Sequence, residues 1–232
     1  NKRITKDTVV IISSVTGNTK EVVEAIKKIK EEVGATVISF VDAKEAILLD
    51  LGDYKISYPV NEQLKFFMVA DRFMFNNGEF EDYEDMYAEF DKYLAQDLVE
   101  VEKQAEPFAI EFAKKHWNDE MHYFVGAGNQ WGATYSYAMC YWEEQLWLKT
   151  KSISSNEFFH GMFEIVTKET PVTIYIGEDA QRPLSERVAN FIPRICANYT
   201  IIDSKDYELK GMTFTWKSKL VTQWKFVVTT ED

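Results

Sequence analysis

The chain has 232 residues, of which 46% are hydrophobic and 15% aromatic, enough to build the core of an ordered globular protein. Its formal net charge of −12, from 38 acidic and 26 basic side chains, argues against nucleic acids and anionic membranes as partners. The chain opens on Asn1, Lys2 and Arg3 without an apolar leader, and no apolar run reaches transmembrane length. These features predict a cytoplasmic protein.

The first part of the chain alternates short strands with helices. Apolar runs and helical periodicity predict strands at 8–12, 35–40 and 54–58, and helices at 19–32 and 43–51. Strand, helix and strand at this spacing indicate an α/β lobe with a parallel sheet.

Helical periodicity then dominates residues 61–117, and strands return beyond them. The second series consists of predicted strands at 121–125, 171–177 and 199–202, and predicted helices at 131–149 and 184–192. A second α/β lobe, joined to the first by helices, is therefore expected. No structure is predicted for the tail at 211–232.

The turn between the first strand and the first helix is rich in hydroxyl groups. It reads Ser13, Ser14, Val15, Thr16, Gly17, Asn18 and Thr19. Backbone N–H groups of such a turn, the positive end of the helix and the hydroxyls together favour a small phosphate. An ordinary N-capped turn would use the same residue types, and taken alone the pattern slightly favours that reading.

Two groups with acid–base chemistry lie in the second lobe. Glu144 comes near the end of the long predicted helix, beside Tyr141, Trp147 and Leu148 at helical spacing. An apolar stripe there would desolvate the carboxylate and raise its pKa toward that of a general base. Solvation at a helix end is the alternative, and position alone does not decide between them.

His160 follows Glu144 by sixteen positions, within the segment Glu157, Phe158, Phe159, His160 and Gly161. An imidazole titrates near neutrality and can both donate and accept a proton. A lone histidine beside a glycine is more often structural than catalytic, so the residues of this segment alone favour a structural role.

This combination resembles the SIS, or sugar isomerase, domain family of phosphosugar enzymes, and most closely the fructosamine-6-phosphate deglycases. In that family a Ser-X-Ser/Thr-Gly-X-Thr turn binds the sugar phosphate, and a helix-end Glu is followed by a Glu-X-X-His-Gly segment. Here Met162 stands where the family usually has Pro.

The resemblance implies an α/β fold of tandem SIS-type lobes with flavodoxin-like or Rossmann-like parallel sheets. The predicted division is the C-terminal part of the first lobe at 1–60, a helical connector at 61–118, the second lobe at 119–210 and the unassigned tail. A strand and a Gly-Ser-rich loop of the family's first lobe would precede Asn1, so part of the sugar site is expected to be missing from this sequence.

The resemblance also assigns roles to residues. Glu144 and His160 would be the catalytic pair. The groups expected to hold the phosphate and sugar are Ser14, Val15, Thr16, Gly17 and Thr19. From their positions beside these groups and in the turn before the second long helix, we expect supporting roles for Ser13, Asn129 and Glu157.

No metal or redox cofactor is expected. The three histidines and two distant cysteines show no ligand spacing such as His-X3-His or Cys-X2-Cys. Gly126 and Gly128 form a Gly-X-Gly turn after a strand, but the third glycine and the acidic residue of a dinucleotide fingerprint are missing.

The predicted function is the deglycation of a fructosamine 6-phosphate to glucose 6-phosphate and a free amine, in a homodimer or higher homo-oligomer. Two alternatives stay open. One is an aldose–ketose phosphosugar isomerase, which needs the same base but no imine hydrolysis. The other is a non-catalytic sugar-phosphate sensor, against which the pairing of Glu144 with His160 counts.

Overall fold

A computed structural model describes residues 3–57 and 62–213, without the side chains of residues 62 and 63. The chain divides into two compact units, Asn1–Tyr83 and Glu84–Asp232. The division falls inside the helical segment that the sequence predicts at 61–118. In the described part of the chain, no helix has the length and apolar character that a membrane span requires.

The first unit contains a three-stranded parallel sheet in the order β1-β2-β3. Its strands are β1 (Val9–Ser14), β2 (Thr36–Val41) and β3 (Tyr54–Ile56), and its helices within the unit are α1 (Lys20–Glu32), α2 (Ile47–Leu51) and α3 (Glu62–Asn76). The core forms because the apolar face of α1 buries Val23 and Ile26 against Val37, Val41 and Leu48.

The second unit contains a four-stranded parallel sheet in the order β5-β4-β6-β7. Its strands are β4 (His122–Gly126), β5 (Thr150–Ser154), β6 (Val172–Ile176) and β7 (Tyr199–Asp203). The central strand β6 is buried at every position, as a strand covered on both faces should be.

The second unit also contains α-helices. They are α4 (Tyr83–Glu89, which crosses the division), α5 (Ala95–His116), α6 (Asn129–Ser136), α7 (Met162–Ile165) and α8 (Arg182–Phe191). Two further helical segments, Phe90–Leu94 and Tyr137–Gln145, have π-helical hydrogen bonding.

Two details depart from the sequence prediction. Strand β5 was not predicted, because its only apolar residue is Ile153 and it lies at the edge of the sheet. The helix predicted at 131–149 starts earlier, changes to π-helical geometry at Tyr137 and ends at Gln145. The tail at 214–232 lies outside the described residues.

Candidate functional site

The turn after β1 is closed by its own side chains. The backbone N–H of Gly17 donates to the hydroxyl of Ser14 at 3.1 Å, and the N–H of Asn18 lies 3.4 Å from Oγ1 of Thr16. Gly17 has φ +64°, a left-handed conformation that a glycine adopts without penalty. The sequence forms this turn because a serine acceptor and a glycine stand three positions apart.

Gly17 also fixes the turn against the rest of the first unit. Its carbonyl accepts the N–H of Leu48 at 3.0 Å, and Oδ1 of Asn18 accepts the N–H of Ile47 at 3.1 Å. A Cβ at position 17 would overlap the side chains of Val41 and Ala46. The turn is therefore held in one position by β2 and α2.

Donor groups converge at the start of α1. The hydroxyls of Ser14 and Thr19 are 3.3 Å apart, Thr16 and Thr19 are exposed, and Thr19 makes no side-chain hydrogen bond as the helix N-cap. The N–H groups of the first helical turn have no acceptor within the helix. Hydroxyls and N–H groups at the positive end of a 13-residue helix form an environment suited to a phosphate.

The remaining turn residues contribute differently. Val15 is 59% exposed, so its apolar side chain lies at the rim of this environment. Ser13 is half-buried. Among the residues predicted to bind phosphate, the structure thus brings the hydroxyls of Ser14 and Thr19 together and leaves Thr16 accessible beside them.

Glu144 lies where the sequence predicts, but its surroundings differ. The expected apolar stripe does not form, because the segment is π-helical there: the N–H of Leu146 donates to the carbonyl of Tyr141, five residues back. This changes the angle between successive side chains, and Glu144 is exposed. Of the two alternatives that the sequence leaves open, the structure has the solvated carboxylate and not the desolvated one.

The neighbouring carboxylate has a partner. Glu143 accepts a hydrogen bond from Oγ1 of Thr150 at 2.6 Å, which connects the π-helical segment to β5. Within the described residues, the carboxylate of Glu144 has no hydrogen bond or ion pair, so it is accessible to a ligand.

His160 ends a short 3₁₀ turn that spans Phe158–His160. Phe158 and Met162, on either side of it, are 0% and 2% exposed and belong to the core beneath the sheet. The backbone N–H of His160 donates to the carbonyl of Glu157 at 2.9 Å, and its imidazole is exposed. Burial of Phe158 and Met162 therefore fixes the chain on both sides of His160, whose ring is exposed. Met162 stands where the resembled family usually has proline.

The predicted supporting residues also have defined places. Oε1 of Glu157 accepts from the amide of Asn156 at 3.2 Å, and Glu157 remains exposed. The backbone N–H of Asn129 donates to Oδ2 of Asp179 at 3.0 Å. The N–H of Asn129 is therefore already engaged by an acidic side chain.

A buried cluster that sequence reasoning missed lies at the start of the second sheet. Nδ1 of His116 and Nδ1 of His122 lie 2.6 and 2.8 Å from the same oxygen, Oδ2 of Asp119. Nε2 of His122 lies 2.8 Å from Oγ1 of Thr173, whereas Nε2 of His116 is buried without a hydrogen-bond partner. The two histidines, which the sequence suggests are scattered, thus meet at one carboxylate in the fold.

Burial disfavours the charged form of both imidazoles. Desolvation lowers the pKa of His122 from 6.5 to about 4, against the opposing effect of its hydrogen bond to Asp119. It also lowers the pKa of His116. The rings of Phe124 and Trp142 lie with centroids 4.5 and 4.7 Å from that of His122, which explains the apolar surroundings.

These three side chains are the group that could hold a metal ion in the described part of the chain, since their ligand atoms lie within 4.8 Å of one another. The two short contacts to one carboxylate oxygen have the lengths of hydrogen bonds. The spacing His-X2-Asp-X2-His was the available sequence signal, but it spans a helix end, a turn and a strand start, so no single-element pattern contains it.

A cavity of about 370 Å³ adjoins this cluster in the second unit. Its walls are mainly aromatic and apolar and include Phe108, Phe112, His116, Trp142 and Tyr175. Neither Glu144 nor His160 lines it. The cavity is therefore separate from the predicted catalytic pair.

Comparison with known proteins gives the context for these sites. Residues 1–72 match the family model of the SIS domain. The chain is 29% identical over 226 residues to the fructosamine deglycase of Bacillus subtilis strain 168, a match that covers 91% of this chain and 66% of that protein. It is 28% identical over 109 residues to the fructoselysine 6-phosphate deglycase of Escherichia coli O157:H7, covering 42% and 32% of the two chains.

Solved structures show the same fold. A Bacillus subtilis protein provisionally named a phosphosugar isomerase superposes with a TM-score of 0.82 at 25% identity, over 96% of this chain and 71% of its own. A Salmonella typhimurium LT2 protein with the same provisional name gives 0.86 at 24% identity, over 97% and 71%. The predicted resemblance and the α/β fold class with parallel sheets are confirmed.

Proposed function

We propose that the protein is a fructosamine-6-phosphate deglycase, on the basis of the match of residues 1–72 to the SIS domain. The observation that carries the proposal is the hydroxyl-lined turn at the N-terminus of α1. It occurs in a chain whose similarity to a named fructosamine deglycase extends over 91% of its length. Because the chain spans 66% of that relative, the activity, substrate and partners are all part of the proposal.

The phosphate of the substrate binds at the turn. Thr16 and Thr19 donate their hydroxyl protons to its oxygens, and the first N–H groups of α1 donate along the helix axis. Ser14 and Gly17 keep the turn in shape through their 3.1 Å hydrogen bond. No lysine or arginine lies between residues 13 and 19, which favours a single phosphate group over a polyanion.

Glu144 and His160 perform the proton transfers. Glu144 removes the proton from C1 of the open-chain fructosamine while the C2 carbonyl oxygen takes a proton, giving an enaminol, and a proton that has exchanged with solvent is then delivered to C2. The product is an imine at C1, which water hydrolyses to glucose 6-phosphate and the free amine. His160 assists ring opening by moving protons at the sugar oxygens. No step in this scheme requires a redox cofactor.

Two features of the second unit support these roles. Both side chains are exposed, so each can reach a substrate. Glu144 also lies in a π-helical segment, a distortion that occurs often at functional sites because it re-aims side chains. A homodimer or higher homo-oligomer and a cytoplasmic location stay predictions from the sequence.

A phosphosugar isomerase is the second candidate, favoured by the provisional names of the two structural relatives. It would use the same turn and the same base and would omit the hydrolysis of the imine. The non-catalytic sensor is the third reading, and it leaves Glu144 and His160 without a role.

A product assay in deuterium oxide separates the three. The protein is incubated with fructosamine 6-phosphates that carry different amines, and with fructose 6-phosphate. The deglycase should release glucose 6-phosphate with deuterium at C2 and one equivalent of amine. Interconversion of fructose 6-phosphate without amine release would identify an isomerase, and tight binding without turnover would identify a sensor.

A further inference from the structure

The second unit contains a helix N-terminus in a position where α/β sheets commonly bind ligands. Strand β4 ends at Gly126, and α6 begins at Asn129. In the strand order β5-β4-β6-β7, the chain leaves β4 toward one edge of the sheet and leaves β6 toward the other. The crevice at the carboxyl ends of β4 and β6 is thus a topological switch point, the usual ligand position in open parallel sheets.

A carboxylate already occupies this position. Asp179 follows β6, and its Oδ2 accepts the N–H of Asn129 at 3.0 Å while its Oδ1 accepts the N–H of Gln181 at 2.7 Å. Gly128 has φ +57°, and a Cβ there would overlap the Asp179 carboxylate. The turn before α6 is therefore shaped around this side chain.

Arg182 links the loop that carries Asp179 to the end of β7. The guanidinium of Arg182 donates to the carbonyl of Gly177 at 2.9 Å and, from the same nitrogen, to Oδ1 of Asp203 at 2.9 Å. Gly177 and Arg182 flank the loop, and Asp203 ends β7. Asp179 is consequently fixed at the start of α6.

The first unit has a different arrangement at its helix. Hydroxyl groups from Ser14, Thr16 and Thr19 surround the start of α1. Within the described residues, no carboxylate accepts a hydrogen bond from the first N–H groups of α1. Both units thus present a strand, a turn and a helix N-terminus, but among the described residues only the second unit has an acidic side chain in the position of an anion.

We propose that Asp179 is a resident anion that closes the second unit to phosphate, so that a sugar phosphate binds only at the turn of the first unit. This inference rests on the proposed function, because it assumes that the first turn binds phosphate. A second anion at α6 would meet a like charge within hydrogen-bonding distance and find the N–H of Asn129 engaged. Asp179 thereby restricts each chain to one phosphate.

Binding stoichiometry tests the proposal. Calorimetric titration of the protein with fructose 6-phosphate, and separately with inorganic phosphate, should give one site per chain. Asp179→Ala removes the carboxylate and should raise the number to two. Asp179→Glu is the matched control, because it keeps a carboxylate beside the start of α6, so the number should stay at one.

The outcomes separate this inference from the proposed function. Two sites in the wild type, or one site in a folded Asp179→Ala protein that keeps its first-unit site, would overturn the role of Asp179. If the wild type binds no phosphate, binding at the turn of the first unit is refuted. A phosphate site that appears only in Asp179→Ala would in that case still support the role of Asp179. If Asp179→Ala does not fold, wild-type crystals soaked in phosphate decide, since an anion at the start of α6 contradicts the proposal.

Discussion

The hydroxyl of Ser14 accepts the backbone N–H of Gly17 at 3.1 Å, and this bond closes the turn between β1 and α1. Ser14 therefore has a structural task in addition to any contact with a ligand, whereas Thr16 and Thr19 are exposed and their hydroxyls make only longer contacts of 3.4 and 3.3 Å within the turn. The distinction determines which substitutions can test phosphate binding without disturbing the turn itself.

Replacing Thr16 and Thr19 together by alanine should weaken binding of fructose 6-phosphate and leave the fold intact. Each hydroxyl donates to a charged oxygen, and such a hydrogen bond contributes about 1.5–3 kcal/mol. The dissociation constant should thus rise by roughly 100-fold or more, measured by calorimetry. Thr16→Ser with Thr19→Ser, which keeps both hydroxyls, is the control. Unchanged affinity in the alanine variant would remove the turn from the site.

Turnover should survive removal of divalent metals. In the buried cluster, Nδ1 of His116 and Nδ1 of His122 lie at hydrogen-bonding distances of 2.6 and 2.8 Å from one oxygen of Asp119, so a metal bound at these atoms would have to displace the hydrogen-bonding protons between them. The measurement is product release after treatment with a chelator and dialysis. Lost activity that zinc restores would contradict the prediction, and His122→Asn would then show whether this cluster supplies the ligands.

Acidification should destabilise the second unit through His122. Its pKa falls from 6.5 to about 4 because burial disfavours the charged ring; His116 and Lys115 lower it further, while Asp119 raises it. The folded protein binds fewer protons than the unfolded chain between these values. The contribution of His122 is therefore complete above pH 6.5 and declines as the pH falls toward 4, by about 3 kcal/mol in total.

Urea unfolding at several pH values between 7 and 4 measures this loss. Carboxylates also contribute to acid unfolding, so the informative quantity is the difference between two proteins. His122→Phe combined with Thr173→Val removes the titrating ring and its hydrogen-bond partner, and its stability should depend less on pH. Parallel curves for the two proteins would show that His122 does not titrate as expected.

The sequence predicts some parts of this molecule better than others. The strand, turn and helix at residues 9–32 are predictable because the apolar pattern, the capping residues and Gly17 all agree. Strand β5 escapes prediction because a polar edge strand has one apolar residue, Ile153, and no alternation that a sequence pattern can detect. Neither helix propensity nor periodicity distinguishes an α-helix from the π-helical segment at Tyr137–Gln145, so the sequence could not decide between a desolvated and a solvated Glu144.

Sequence patterns also describe one element at a time. His116 ends a helix, Asp119 lies in a turn and His122 starts a strand, and only the fold brings them within hydrogen-bonding distance. The bond between Asn129 and Asp179 likewise joins residues fifty positions apart. Such contacts depend on how strands pair, which a single sequence does not specify at the level of side chains.

Glu144→Gln should abolish most of the turnover while substrate binding changes little. Glutamine keeps the size of the side chain but cannot accept the C1 proton, and general-base catalysis typically contributes roughly 10²- to 10⁴-fold. The expected result is a fall in kcat of that order with KM nearly constant. Deuterium incorporation at C2 of the product should fall in parallel.

Glu143→Gln is the matched control for this substitution. Glu143 lies one position earlier in the same π-helical segment and accepts a hydrogen bond from Thr150, which a glutamine oxygen can also accept. The Glu143 variant should therefore retain its fold and nearly all of its turnover. A fully active Glu144→Gln protein would disprove the assigned base. If Glu143→Gln instead lost activity by 10²-fold or more, the carboxylate that faces Thr150 would be the base, because it is the remaining acidic group at the end of this segment.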